Sequence, residues 1–529
     1  MTRLRGDDGG TSLIQTEPVT LMAAINAAIG STIAGRAART VEAEGLVLAP
    51  GFIDIHSHTD LTIFKHPGGD SKAFQGVTLD VVGNCGLGVF PVQADRQQEL
   101  AGFLRLHGYL LPDTGFSWRD LASYAREVED PGIGINLAPL VGHGPLRIAA
   151  MGMEDREPTA TELERMRRML SEALRQGAWG MSTGLIYPPG SFARTDELIA
   201  LAKVLAAHGA LYASHIRNES AAMLAALDEA VAIGRESGAR VQVSHLKALG
   251  KSNWGRFRQV LARLAAARSA GVNIAADQYP YDASATTLAA LIPQWAQDGG
   301  VAKMIDRLQA PELRARLLTG IGEEIAVRAG AEGIIVTDIQ SPGNRDLIGK
   351  DLGSIANSWQ CGAEEAVIRL LVEEAGAVGA IFFCMAEEDV AGIMADPQVA
   401  IGSDGHGLDA AACAGEATHP RSYGTFPRVL SRYVREQKVL SLEGAIRKMT
   451  ALPASRLGLP DRGVVKEGYV ADLVLFDPAT IKDLADYAVP HRYAHGIIHL
   501  LVGGEFVIED GRLTGRRPGR VLRRPGSEV

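Results

Sequence analysis

From Gly51 onward the chain repeats one rhythm, in which a short apolar run ends in a polar residue and a helical pattern follows. Phe52, Ile53 and Ile55 form the first run, closed by His56-Ser-His58. Residues 77–83 form the next, closed by Asn84-Cys85-Gly86, and residues 135–141 lead into Gly142-His143-Gly144. Runs at 180–183, 211–214 and 241–244 follow, the last two closed by His215 and His245. Residues 272–276 end at Asp277, and after a long interruption residues 380–384 and 399–403 resume the rhythm, the latter closed by Asp404. Between the runs, apolar spacing predicts helices over 159–176, 196–208, 221–237 and 254–270. The Thr159-Ala-Thr-Glu start of the first of these is a capping signal.

Alternation of strands and helices implies a parallel sheet, and about eight such units imply closure into a (β/α)8 barrel. An open doubly wound sheet is the runner-up, but it calls for a phosphate-binding glycine turn after its first strand. Here the first strand ends in two histidines. The expected layout is a barrel over 51–455, with an insertion after the seventh strand at about 285–375 that contains one short strand near 332–338. A helical stretch at 427–454 precedes β-like, Gly-rich residues 463–516. Residues 1–50 and 456–529 are thus expected to form one small β-sandwich from both chain ends.

Composition narrows the class without naming the chemistry. A chain of 529 residues exceeds one ordinary core, and 46% hydrophobic with 22% charged residues is typical of globular proteins. No apolar run is long enough to span a bilayer. A net charge of -9 argues against a general nucleic-acid binder, and the basic stretch 512–524 reads as a solvated terminus. Four cysteines, Cys85, Cys361, Cys384 and Cys413, make no disulfide framework and fit a reducing compartment; with a polar start to the chain, the expected location is the cytoplasm. Oligomeric state is not encoded in these patterns.

In a barrel the working residues sit at the C-terminal strand ends, so the residues that close the runs carry the chemistry. His56, His58, Cys85, His215, His245 and Asp404 are all good ligands for zinc or a similar ion, and they come from five strands that face one mouth. His56 and His58 are two apart, so both imidazoles fall on one face of the strand. His143 also closes a run, as a pocket or loop residue.

The set His56-Ser-His58, Gly83-Asn-Cys85-Gly, Ala213-Ser-His215-Ile-Arg-Asn-Glu219, Ser244-His245-Leu-Lys247, Ala276-Asp-Gln-Tyr-Pro-Tyr281 and Gly402-Ser-Asp404-Gly resembles the amidohydrolase superfamily, and within it the N-acyl-D-amino-acid deacylases (D-aminoacylases). The resemblance runs from about Leu46 to the C-terminus and includes His419-Pro-Arg421 and Gly468-Tyr-Val-Ala-Asp-Leu-Val474, whereas residues 1–24 depart from the family's opening pattern. It implies a zinc-dependent hydrolase of N-acyl amino acids, with the tightly held zinc on Cys85, His215 and His245. A weaker second position would use His56, His58 and Asp404, with Cys85 able to bridge. By the same resemblance Lys247 and Tyr281 take the substrate α-carboxylate, with Arg217 and Arg421 as further candidates, and the insertion is similar to a lid.

Amide hydrolysis near neutral pH needs an activated water, a polarised carbonyl and a proton for the leaving amine, and Asp404 is placed to shuttle that proton. Three rivals accompany this reading. Gly180-Met-Ser182-Thr-Gly184 matches the nucleophile elbow of serine hydrolases, yet Leu185-Ile-Tyr-Pro-Pro-Gly190 cannot start the helix that motif demands. A cyclic-amide hydrolase of the hydantoinase or dihydroorotase kind keeps barrel and metal and changes the substrate. A non-catalytic scaffold requires lost ligands, and here all six positions are filled.

Overall fold

The computed structural model describes residues 40–109, 111, 115–413 and 416–528. The expectation of β-structure for residues 1–39 lies outside them. Eight parallel strands form the central sheet: Phe52–Asp54, Val77–Val82, Asn136–Gly142, Gly180–Gly184, Leu211–His215, Arg240–Val243, Ile274–Gln278 and Val399–Ile401. Each pairs with its sequence neighbour. A parallel bridge from Ser57 to Gly405 brings the first and eighth strands together and closes the barrel. The period-2 alternation of strand side chains sorts the core into two sets. Ile53, Leu79, Val81, Ala138, Leu140, Leu211, Ala213 and Ala400 pack with one another and with Leu452 and Leu457. Their alternates, among them Leu137, Met181, Tyr212, Val241, Val243 and Ile274, pack beneath the surrounding helices.

Those helices begin where the sequence signals them. Thr159 caps the helix Ala160–Arg175 by accepting from the Glu162 amide at 3.3 Å, and Glu162 Oε2 accepts from the Thr159 amide at 2.8 Å. The other three predicted helices appear as Thr195–Ala207, Met223–Ser237 and Phe257–Ser269.

Both chain ends meet in a five-stranded antiparallel sheet. Val47–Pro50 pairs with Leu473–Phe476, which continues through Ile497–Val502 and Glu505–Glu509 to Arg512–Leu513. In the basic segment 512–524 the side chains of Arg512, Arg516, Arg517 and Arg520 are exposed, as expected, but the segment is pinned to the barrel. Trp179 Nε1 donates to Leu522 O at 2.8 Å, Leu137 N to Arg520 O at 2.9 Å, and Arg523 Nη1 to Gln176 O at 2.8 Å, so the tail is strapped across the barrel end opposite the candidate site.

The insertion departs most from expectation. Residues 380–384 do not supply a barrel strand: Gly379–Phe382 lies between Ile334–Val336 and Ser284–Thr287 in a separate three-stranded antiparallel sheet. With helices that include Val301–Gln309, Arg314–Arg328 and Ala363–Glu373, this sheet has its own core, which contains Leu288, Met304, Leu317, Ile321, Val367 and Phe382. The insertion is therefore a folded unit that begins directly after the seventh barrel strand. Among the described residues no helix is long and apolar enough to cross a membrane.

Candidate metal centre and substrate cavity

The strand ends present their donors through strained backbone. Cys85, His245 and Asp404 have φ of +53°, +35° and +52°, the left-handed region that side chains other than glycine's seldom occupy. Such strain persists where surrounding structure enforces it, and here each turn aims a ligand-type side chain into the mouth. The second-strand turn is braced by Ser182, whose hydroxyl donates to Gly83 O and accepts from the Gly86 amide at 2.9 Å. Ser182 is thus no exposed nucleophile. Its strand runs into a turn and the short 3-10 segment Gly190–Phe192 rather than a helix, which removes the serine-hydrolase reading.

The donors converge. Cys85 Sγ lies 3.3 Å from both His56 Nε2 and His245 Nε2. Asp404 Oδ1 stands 3.3 Å from His56 Nε2 and 2.9 Å from His58 Nε2. The His215 and His245 ring centroids are 4.3 Å apart. Donor atoms fall into two buried groups that share His245: His56, Cys85, His245 and Asp404 in one, and His215, Glu219 and His245 in the other. Glu219 was not foreseen as a member. His58 belongs to neither group, although its Nε2 faces Asp404, and its Nδ1 is 2.7 Å from the Tyr109 hydroxyl.

Supporting contacts orient the rings. Asp277 Oδ1 accepts from His56 Nδ1 at 3.1 Å and from the His245 amide at 2.7 Å, which leaves His56 Nε2 facing the centre. His245 Nδ1 is 2.7 Å from Lys247 Nζ and 3.1 Å from Glu219 Oε1. Beneath the site Lys72 is fully buried, with its Nζ 2.6 Å from Asp54 Oδ2, 2.7 Å from Ser403 Oγ and 3.5 Å from Asp80 Oδ2.

Zinc fits this donor set. Both ring nitrogens of buried His215 lack any hydrogen-bond partner, an unfavourable state for an imidazole unless a cation takes one of them. Burial pushes the Cys85 thiol up, but His56 and His245 outweigh it and hold the group well below the usual thiol range. Burial likewise pushes Asp404 up, and Arg421, His245 and His56 overcome it, so this carboxylate titrates well below its usual range. A thiolate, imidazoles and an ionised carboxylate at one point are the ligands such an ion selects.

A cavity of about 110 Å³ opens over these groups, lined by His58, Cys85, His215, His245, Lys247, Tyr279, Asp404 and Arg421 and by Ser284 to Thr287 of the insertion's sheet. Lys247 Nζ lies 2.6 Å from Glu219 Oε1, and Arg421 Nη1 lies 2.7 Å from Asp404 Oδ2. Of Tyr279 and Tyr281, it is Tyr279 that lines the cavity. Tyr279 sits between the two cations, with Lys247 Nζ 5.6 Å and Arg421 Cζ 5.1 Å from its ring centroid, and its buried hydroxyl has no partner. Tyr281 points away, because the strand ends at Gln278 and its period-2 rule lapses across Pro280; the Tyr281 hydroxyl donates to Pro420 O at 3.3 Å. Arg217 also lies outside the cavity, held by Glu229 at 2.9 Å and by the carbonyls of Ser191 and Ala193. His143 is fully buried against Glu197 at 2.8 Å and is not among the residues that line this cavity.

Buried imidazoles, a thiol and carboxylates at the mouth of a (β/α)8 barrel define a metal-dependent hydrolase. Comparison with known proteins carries the class further. A model of the amidohydrolase family matches residues 39–329 and 358–508. Over 501 residues the chain is 40% identical to the N-acyl-D-glutamate deacylase of Alcaligenes xylosoxydans xylosoxydans, a match that covers 95% of this chain and 91% of the relative. The crystal structure of the N-acyl-D-glutamate deacylase from Bordetella bronchiseptica, complexed with zinc and a phosphonate mimic of the tetrahedral intermediate, matches with a TM-score of 0.79 and 38% identity over 95% of this chain and 94% of that one. A D-aminoacylase structure, described in terms of a binuclear metal centre with one-metal activation and second-metal attenuation, matches with a TM-score of 0.78 and 37% identity over the same shares. The chain belongs to the amidohydrolase family and, within it, to the N-acyl-D-amino-acid deacylases.

Proposed function

We propose that this protein is a zinc-dependent deacylase that hydrolyses the amide bond of N-acyl-D-amino acids to a carboxylate and a free D-amino acid. The observation that carries the proposal is the pair of buried donor groups, His56, Cys85, His245 and Asp404 in one and His215, Glu219 and the shared His245 in the other, at the floor of a cavity lined by Lys247, Arg421 and the unpartnered hydroxyl of Tyr279. Cys85, His215 and His245 would hold the zinc ion, which when bound would supply Lewis acidity and bring the pKa of water to about 7. His56, His58 and Asp404 would provide a weaker second position.

Asp404 takes the proton from the attacking water and returns it to the departing nitrogen. Arg421 fixes the second oxygen of that carboxylate at 2.7 Å and keeps the group ionised between turnovers. Lys247, Tyr279 and Arg421 surround the place for the substrate α-carboxylate, where the tyrosine hydroxyl gains the partner it lacks in the free protein. The insertion's sheet covers the cavity and limits water around the reacting amide. The four free cysteines suit a reducing compartment, and we place the enzyme in the cytoplasm.

The test is release of free amino acid from paired N-acetyl-D- and N-acetyl-L-methionine and N-acetyl-D- and N-acetyl-L-glutamate, beside hydantoin and dihydroorotate. Turnover confined to the D-configured linear amides and abolished by a chelator is expected. Ring opening without deacylation would replace this reading with the cyclic-amide one.

A further inference from the structure

Arg421 reaches the cavity from the first turn of the helix Arg421–Arg428, so whatever holds this helix also holds the guanidinium. The last residue of the same helix, Arg428, is not among those that line the cavity, yet three of its contacts bear on residues that do. Its Nε donates to Pro280 O at 2.7 Å, its Cζ lies 4.7 Å from the Tyr281 ring centroid, and its Nη1 lies 3.0 Å from Asp483 Oδ2. The other oxygen of Asp483 accepts from the Ser431 hydroxyl at 3.3 Å, in the π-helical segment Val429–Glu436 that continues the helix. The two side chains of the ion pair are 20% and 12% exposed, so water competes little for either.

These contacts close a frame around the turn Tyr279-Pro280-Tyr281. Arg428 grips the turn by its middle carbonyl. Tyr281 acts as a strut, with its ring against Arg428 at one end of the helix and its hydroxyl donating to Pro420 O, directly before Arg421, at the other. The helix lies so close that a Cβ at Gly424 would stand 2.7 Å from the Tyr281 hydroxyl and 2.9 Å from Asp483 Cβ, which explains a glycine inside a helix here. Tyr279 and Arg421 are thereby fixed relative to one another, 5.1 Å from ring centroid to Cζ. Asp483 comes from outside the barrel. Its neighbour Lys482 exchanges backbone hydrogen bonds with His495 at 3.0 and 2.9 Å, which pins the segment that follows strand Leu473–Phe476.

We propose that Arg428, held by Asp483, is a positioning residue that sets Tyr279 and Arg421 at the spacing that receives the substrate α-carboxylate. The inference rests on the assignment of that carboxylate to Lys247, Tyr279 and Arg421, and deepens it. It gives the C-terminal part of the chain a share in substrate recognition, although none of residues 456–528 lines the cavity.

The test takes whichever of N-acetyl-D-methionine and N-acetyl-D-glutamate is turned over faster, and divides its kcat/KM by that of its α-carboxamide. The wild-type ratio is expected well above one. Displacing the two side chains by a fraction of an ångström in Arg428→Gln or in the isosteric Asp483→Asn lowers the ratio by about 10-fold, mainly through KM of the acid. Arg428→Lys restores part of it, because a point charge replaces a fork and can satisfy Pro280 or Asp483 but not both. The double variant Arg428→Gln with Asp483→Asn is no worse than either single one, since the pair acts as a unit. Zinc content and circular dichroism of each variant confirm that the fold is retained. A lowered melting temperature with an unchanged ratio, or a loss equal on acid and amide, makes the pair a merely structural one and overturns the proposal. An unchanged ratio in Arg421→Gln overturns instead the carboxylate assignment on which it rests.

Discussion

Asp404 Oδ2 lies 2.7 Å from Arg421 Nη1, while its Oδ1 faces His58 at 2.9 Å and His56 at 3.3 Å. One carboxylate thus joins the eighth strand to the first, and its two oxygens face different partners: one looks to His58 and His56, the other to a fixed cation. Asp404→Asn keeps the shape and removes the base. It is expected to lower kcat by about 10²–10⁴-fold with KM within a few-fold. Zinc retained on Cys85, His215 and His245 is the accompanying result, read by metal analysis of the purified variant.

Ser182→Ala separates the metal reading from a serine nucleophile. The substitution leaves Gly83 O and the Gly86 amide without their bridging hydroxyl, a loss of about 1–3 kcal/mol in stability. Turnover by the folded fraction persists, and a serine-directed phosphonate leaves the wild type active. Loss of turnover at full zinc occupancy and unchanged melting temperature would sink this account of Ser182.

Lys72 holds the floor of the site. It is the cation between Asp54 and Asp80, and it also donates to Ser403, next to Asp404. Lys72→Met strands two buried carboxylates, so the expected cost is about 3–5 kcal/mol. Denaturant unfolding measures it, and a cost below about 1 kcal/mol contradicts the described network.

Lys448 gives stability a pH dependence. Burial lowers its pKa from 10.5 to about 7, while its ammonium faces Asp396 O and Val399 O at the start of the eighth strand. The folded pKa is below the unfolded one, so between about pH 7 and 10.5 the unfolded chain binds a proton that the folded chain does not, and stability rises with pH. Lys448→Met removes that contribution. The wild type is expected to gain on the variant between pH 7 and pH 9.5 in urea titrations, and a constant difference would count against the lowered pKa.

Much of the site was legible because strand geometry and ligand chemistry reinforce one another. His56 and His58 fall on one face, and Cys85, His215, His245 and Asp404 each close an apolar run, so a barrel places them at one mouth. Asp277 closes a run in the same way, yet its role as the acceptor for His56 and His245 depends on a contact across 221 residues that no local pattern encodes. Glu219 stands four residues after His215, where the chain leaves the strand and periodicity ceases to inform. The same limit explains Tyr281 and Arg217, whose motif positions were clear but whose directions follow from Pro280 and from Glu229. The apolar run 380–384 has the same signature in a parallel barrel and in the insertion's antiparallel sheet, so its sequence alone does not tell the two apart.

The most direct measurement is reconstitution of chelator-treated protein with zinc, following bound metal and release of D-amino acid together in the wild type, Cys85→Ala and His215→Ala. The account predicts that wild-type activity returns as about one tightly held zinc per chain is taken up, and that neither variant holds the ion or recovers activity. Full activity in metal-free wild type, or in Cys85→Ala stripped of zinc, would contradict it.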